Sequence, residues 1–162
     1  MPKYIISLLV ENKKGIVTRV LSVIDNQNIN IGNLDFNECV DKNQGRINIF
    51  LSLNEPTAQN LLPLLLNIDG VLKADFQPEN TMNTCELMLL KVSARPGERG
   101  IIYKTAFSYN AKIIDVGQES MTLMAVGTPD EIDIIINHVK AQGILEICRS
   151  GNISLKKGDK SL

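Results

Sequence analysis

Two rhythms of apolar residues alternate along the chain. Tyr4 to Val10 form an apolar run of strand length. After the polar stretch Glu11-Asn12-Lys13-Lys14 and a single Gly15, apolar residues return at helical spacing as Ile16, Val17, Val20, Leu21 and Ile24. Ile29 to Phe36 reads as a second strand and GRINIFLSL as a third. NEPTAQNLLPLLLN then reads as a helix with Ala58, Leu61, Leu62 and Leu65 on one face. Asn54 is placed to cap that helix ahead of Glu55-Pro56, and Pro63 inside the pattern predicts a kink or an early end. GVLKADFQ supplies the fourth strand.

The second half repeats this order. CELMLLKVSA reads as a strand, and PGERGIIYKTAFSY carries Ile101, Ile102, Thr105, Ala106 and Tyr109 at helical spacing. AKIIDVG and MTLMAVG form a hairpin around Gln118-Glu119. TPDE is a capping box, with Thr128 at the cap, Pro129 at the first helical position and Glu131 reaching back. Ile132, Ile135, Ile136 and Val139 face inward on the helix it opens, and Gly143 ends that helix before the strand ILEICRS. Each half is therefore β-α-β-β-α-β, and the predicted fold class is α+β, two tandem ferredoxin-like domains. The polar stretch Pro78 to Thr84 separates a first domain at 1–78 from a second at 84–162.

In this topology the helices cover one sheet face and the second strand of each half lies at an edge. Ile29 and Ile31 share one alternation phase, Leu34 and Phe36 the other, so a β-bulge near Gly32 is expected between them. Neither Pro nor Lys stands between Ile29 and Val40 to discourage pairing, which predicts a homodimer with a continuous sheet.

At 162 residues and 44% hydrophobic content the chain has enough apolar material for full cores. Its 17 basic and 18 acidic residues nearly cancel, which argues against nucleic acid as a partner. The amino terminus lacks the apolar stretch of a secretory signal and no segment has the length to span a bilayer, so the cytoplasm is the expected compartment. Cys39, Cys85 and Cys148 are odd in number and far apart, which fits neither a disulfide framework nor a zinc site. His138, the single histidine, sits between Asn137 and Lys140 and reads as a solvated helix position. Lys156, Lys157 and Lys160 read as a solvated tail.

No nucleophile, acid pair or second glycine marks the turn between the first strand and the first helix. A helix starting near Gly15 would aim free amides and the positive end of its dipole above the strand ends, a place that suits a small carboxylate. An ordinary turn capped by Asn12 is the plain alternative.

SLLVENKKGIVTRVLSVIDNQNINIGNL resembles the ACT domain that opens the small regulatory subunit of acetolactate synthase, also called acetohydroxyacid synthase. ELMLLKV, AKIIDVG and AVGTPDEIDIIINHVKAQGILEICRSGNISLKKGDK resemble the carboxy-terminal domain of the same subunit, with E-x-x-R-S-G…KKGD the most specific stretch. The resemblance implies a dimer without chemistry of its own. Such a dimer binds and activates a separate thiamine-diphosphate catalytic (large) subunit and carries feedback inhibition by valine or another branched-chain amino acid. Thiamine diphosphate, magnesium and FAD would belong to that partner, and no cofactor is expected here. The implied effector site lies between two ACT domains. It takes Asn12, Lys14, Gly15, Ile16 and Val17 from one protomer and Asn30 and Ile31 from the other. The amides at Gly15 and Ile16 would hold the carboxylate, Asn12 and Asn30 the ammonium, and Ile16 and Ile31 an apolar side chain.

Three positions depart from the family pattern. Asn28 stands where members commonly have glycine, Gly32 replaces a larger and often acidic residue, and Lys13-Lys14 add charge. Asn tolerates positive φ, so the turn at Asn28 is expected to survive. A free-standing ACT-type amino-acid sensor or transcription co-regulator remains the alternative function. An acylphosphatase-like hydrolase would need an arginine and a phosphate-cradling loop together, and Arg19 lies inside the helix rather than in the turn.

Overall fold

The computed structural model describes residues 2–159 and 162. The chain divides into two compact units, Met1–Thr84 with Ile153–Leu162, and Cys85–Asn152. Thr84, expected to open the second domain, closes the first segment. The closing residues from Ile153, expected in the second domain, group with the first unit instead.

In the first unit β1 (Lys3–Glu11), α1 (Ile16–Asp25), β2 (Ile31–Glu38), β3 (Gln44–Ser52), α2 (Glu55–Leu66) and β4 (Val71–Pro78) follow in order. The sheet order is β2-β3-β1-β4, with β3 antiparallel to both β1 and β2. Tyr4, Ile6, Leu8 and Val10 of β1 pack with Ile16, Val20 and Ile24 of α1 and Ala58, Leu61 and Leu65 of α2 in one core. These are the residues that the 2.0 and 3.6 periodicities select. The β2–β3 register shifts between Ile31 and Asn33, the expected bulge at Gly32, where an added Cβ would stand 3.3 Å from the Phe50 carbonyl oxygen. Asn28 adopts φ 54°, as its position before β2 requires. Asn54 caps α2 by accepting from the Thr57 amide at 2.9 Å. That helix runs through Pro63 to Leu66 rather than stopping early, because Pro63 lies on the exposed side, where water reaches the carbonyl it leaves unbonded.

On the opposite face of this sheet a polar chain crosses three strands. Ser7 Oγ donates to Asn48 Oδ1 at 2.7 Å, Arg46 Nε donates to the same oxygen at 3.1 Å, and Asn48 Nδ2 donates to Asp35 at 3.1 Å. Burial raises the Asp35 carboxyl above its ordinary value and lowers the Arg46 guanidinium below its own.

In the second unit β5 (Met82–Ser93), α3 (Arg99–Ser108), β6 (Lys112–Val116), β7 (Ser120–Gly127), α4 (Pro129–Val139) and β8 (Ile144–Arg149) build the order β6-β7-β5-β8. Met88, Leu90 and Val92 of β5 and Met121, Leu123 and Ala125 of β7 pack against Ile102, Ala106, Ile132, Ile135 and Val139 of the two helices. The capping box at Thr128 and Glu131 is complete, and its hydrogen bonds from the Thr128 backbone and side chain hold the Glu131 carboxyl below its ordinary value. Arg149, in the E-x-x-R-S-G stretch, bridges the buried Glu86 of β5 and Asp133 of α4. These charged bonds raise the Arg149 guanidinium further.

The tail is not a free solvated segment. Ile153–Lys156 forms a short strand, β9. Lys156 pairs with Asp75 of β4 at 2.9 Å, and Lys157 donates to the Asn80 carbonyl at 2.9 Å. Lys160 lies outside the described residues. Burial raises the Asp75 carboxyl, but bonds from Lys156, Gln77 and the Phe76 amide outweigh it and leave the group below its ordinary value.

Candidate functional site

The turn from β1 into α1 is built around Gly15, the α1 N-cap, at φ 83° and ψ 1°. This left-handed conformation costs a residue with a Cβ roughly 1–2 kcal/mol, which accounts for glycine here. No side chain caps the helix. Asn12, the alternative cap, turns away: its Nδ2 donates to Glu38 Oε1 at 3.1 Å and to the Lys42 carbonyl at 3.0 Å. Its Oδ1 receives no hydrogen bond among the described residues. The Ile16 amide donates to the Lys13 carbonyl over a long 3.2 Å. The amides of Gly15, Val17 and Thr18 have no backbone acceptor among the described residues, so they remain available to an anion.

The charges around the turn are partly committed. Lys13 pairs with Glu11 at 2.7 Å, and the hydrogen bond and charge of Glu11 raise its pKa. Lys14 is exposed and makes no ion pair among the described residues. Arg19 belongs to α1, but its side chain runs back toward the helix start. Its Nη2 donates to the Asp69 carbonyl at 3.3 Å, and its Nη1 lies 3.4 Å from where a Cβ on Gly15 would stand. An arginine does therefore reach the turn, contrary to the reading that kept it within the helix.

The seven residues expected at the effector site fall into two groups. Asn12, Lys14, Gly15 and Val17 are together at the turn. Ile16 joins them through its backbone alone, because its side chain is 2% exposed and belongs to the core. Asn30 and Ile31 instead line a cavity of about 460 Å³ with Thr18, Leu21, Ser22, Asp25 and Ile29. Asn12, Lys14, Gly15, Ile16 and Val17 do not line it, but Thr18, whose amide is free at the turn, does. Sequence reading missed the cavity's helical wall, although Thr18, Leu21, Ser22 and Asp25 follow the i, i+3, i+4, i+7 spacing that places them on one face.

No helix among the described residues is long and apolar enough to cross a membrane, and none of those residues forms a group of three or more metal-binding side chains. His138 is exposed, with Nδ1 2.8 Å from the Ile134 carbonyl oxygen and Nε2 3.1 Å from the Tyr109 hydroxyl.

Residues 85–158 match the family described as the small subunit of acetolactate synthase. The acetolactate synthase small subunit of Mycolicibacterium smegmatis is 31% identical over 161 residues, covering 99% of this chain and 95% of that one. The corresponding protein of Haemophilus influenzae is 30% identical over 98% of both chains. The crystal structure of the small subunit from Thermotoga maritima superposes with a TM-score of 0.91 over 99% of this chain and 100% of that one, at 21% identity, and so has the same fold. With end-to-end similarity at this level and a shared double ferredoxin-like architecture, the chain belongs to the acetolactate synthase small-subunit family.

Proposed function

We propose that this chain is the regulatory subunit of an acetolactate synthase. In this role it activates a separate thiamine-diphosphate catalytic subunit and transmits feedback inhibition by valine or another branched-chain amino acid. The effector site forms when two copies pair along β2. Strand direction is the observation that carries this reading. β1 and β2 are both antiparallel to β3, so both run the same way. The β1–α1 turn therefore stands at the end where β2 finishes, which is why Asn12 reaches Glu38. The cavity holding Asn30 and Ile31 runs along α1 from Thr18 to Asp25, and its Asn30 and Ile31 end stands where β2 begins, at the opposite end of the sheet from the turn. Antiparallel pairing of two β2 edges across a twofold axis reverses one copy and sets its cavity beside the other's turn.

At that junction the free amides of Gly15, Val17 and Thr18 receive the effector's carboxylate, helped by the positive end of the α1 dipole and by Lys14. Asn12 Oδ1 and the partner's Asn30 accept from the ammonium, while Val17 and the partner's Ile31 contact the aliphatic side chain. Thiamine diphosphate, magnesium and FAD belong to the catalytic subunit in this scheme.

The test is reconstitution with the catalytic subunit, comparing the unmodified chain with Gly15→Asp. An aspartate at φ 83° costs about 1 kcal/mol and blocks the carboxylate's approach by bulk and charge. Activation should persist in the variant while affinity for the branched-chain amino acid, read by calorimetry, falls by at least about tenfold. Unchanged inhibition of the Gly15→Asp complex would move the effector elsewhere. Failure of the unmodified chain to activate any catalytic subunit would favour a free-standing sensor.

A further inference from the structure

We infer that Asp25 is the anchor for the effector's ammonium group, and that the site recognises its zwitterion between the opposite ends of two α1 helices. The inference rests on the proposed effector site and names a specificity-determining residue in it. Among the described residues, Asp25 is the single charged one lining the 460 Å³ cavity, beside the polar Thr18, Ser22 and Asn30 and the apolar Leu21, Ile29 and Ile31. Its carboxylate has no hydrogen bond or ion pair among the described residues, and Ser22, its neighbour one turn earlier, already donates to the Thr18 carbonyl at 2.9 Å. A carboxylate holds an ammonium group more strongly than neutral acceptors do, and the asparagines at the site are neutral.

Chain direction supplies the rest. α1 leaves the end of β1 and returns to the start of β2, so its amino end is at the turn and its carboxyl end, with Asp25, is at the cavity. The twofold pairing that brings the partner's cavity to the turn therefore opposes the positive end of one α1 to the negative end of the other. An amino acid lying between them meets amides at its carboxylate and Asp25 at its ammonium. Leu21, Ile29 and Ile31 form the wall that takes a branched aliphatic side chain. A carboxylic acid of the same shape without the amine satisfies only one end.

The experiment measures L-valine and 3-methylbutanoate, its analogue without the amino group, by calorimetry and inhibition on the reconstituted complex. It compares the unmodified chain with Asp25→Asn and Asp25→Glu. A charge-assisted hydrogen bond is worth enough to predict about tenfold or greater preference for valine in the unmodified complex. Asp25→Asn should erase most of that preference by weakening valine alone, and Asp25→Glu should restore part of it. A merely structural role would weaken both ligands together, so a preserved ratio in Asp25→Asn overturns the assignment of Asp25 while leaving the effector site standing. An unmodified complex that binds and responds to none of the branched-chain amino acids overturns the effector reading and this inference with it.

Discussion

The two units build the same β-α turn and close it differently. In the first, the tie to the neighbouring hairpin comes from the strand end: the Asn12 amide donates to the Asn43 carbonyl at 2.7 Å and the Asn12 side chain reaches Lys42. In the second, the Ala94 amide makes the matching bond to Glu119 at 2.8 Å, but the side-chain tie comes from the helix. Arg99 donates to the carbonyls of Ala94 at 3.0 Å, Gly117 at 2.7 Å and Gln118 at 2.8 Å. A guanidinium thus binds three carbonyls around the second turn, whereas at the first Arg19 lies beside Gly15 and makes a single long bond among the described residues, to the Asp69 carbonyl. The edges differ in the same sense. β2 runs eight residues without lysine or proline, while β6 is five residues long and opens on Lys112. One copy of the fold leaves its turn and edge accessible, and the other satisfies its own groups.

The sharpest way to break this comparison is to remove the two arginines. Arg99→Met removes the donor from two part-buried carbonyls and one exposed one, and the second unit should lose about 2 kcal/mol in denaturant unfolding with effector binding unchanged. Arg19→Met removes one exposed 3.3 Å bond and should cost less than about 1 kcal/mol. Equal losses would mean that both turns are closed by their arginines. A smaller effect is expected at the edges. Asn37→Lys on β2 puts on the pairing edge the residue type that discourages strand addition and should weaken the dimer several-fold in ultracentrifugation, whereas Ile114→Lys on β6 should leave association unchanged. The reverse pattern would exchange the roles of the two edges.

The smallest effect concerns the tail held on β4. The folded Asp75 carboxyl lies below its ordinary 3.8, so its stabilisation is fully present above that value and is lost as pH falls through the lower folded value. Because both partners of this pair are about a quarter to a third exposed, the contribution is at most about 1 kcal/mol. Amide protection in Ile153–Lys156, taken relative to the intrinsic exchange rate at each pH, should fall at pH below 3.8 compared with neutral pH, and Asp75→Asn should show the lower protection at neutral pH already. Protection independent of pH and of this substitution would mean that the pair does not hold the tail.

Local chemistry was legible where it is periodic or short in range. Alternation and helical spacing specified both βαββαβ units, their buried faces, the bulge at Gly32 and the caps at Asn54 and Thr128, because each depends on residues a few positions apart. The candidate site was legible only in part. Gly15 announced the turn into α1, which it enters in the left-handed conformation, but Ile16 was assigned to a pocket although its side chain enters the core. Periodicity marks which helical face is buried, not whether a boundary residue meets a ligand or a neighbouring strand. Long-range pairings decided what remained. The reach of Arg19 to Asp69, the closure of the second turn by Arg99, the docking of Lys156 on Asp75 and the cavity between α1 and β2 all join residues whose separation along the chain carries no pattern. Such contacts exist only after the strands have registered and the helices have packed, so the tertiary structure alone could place them.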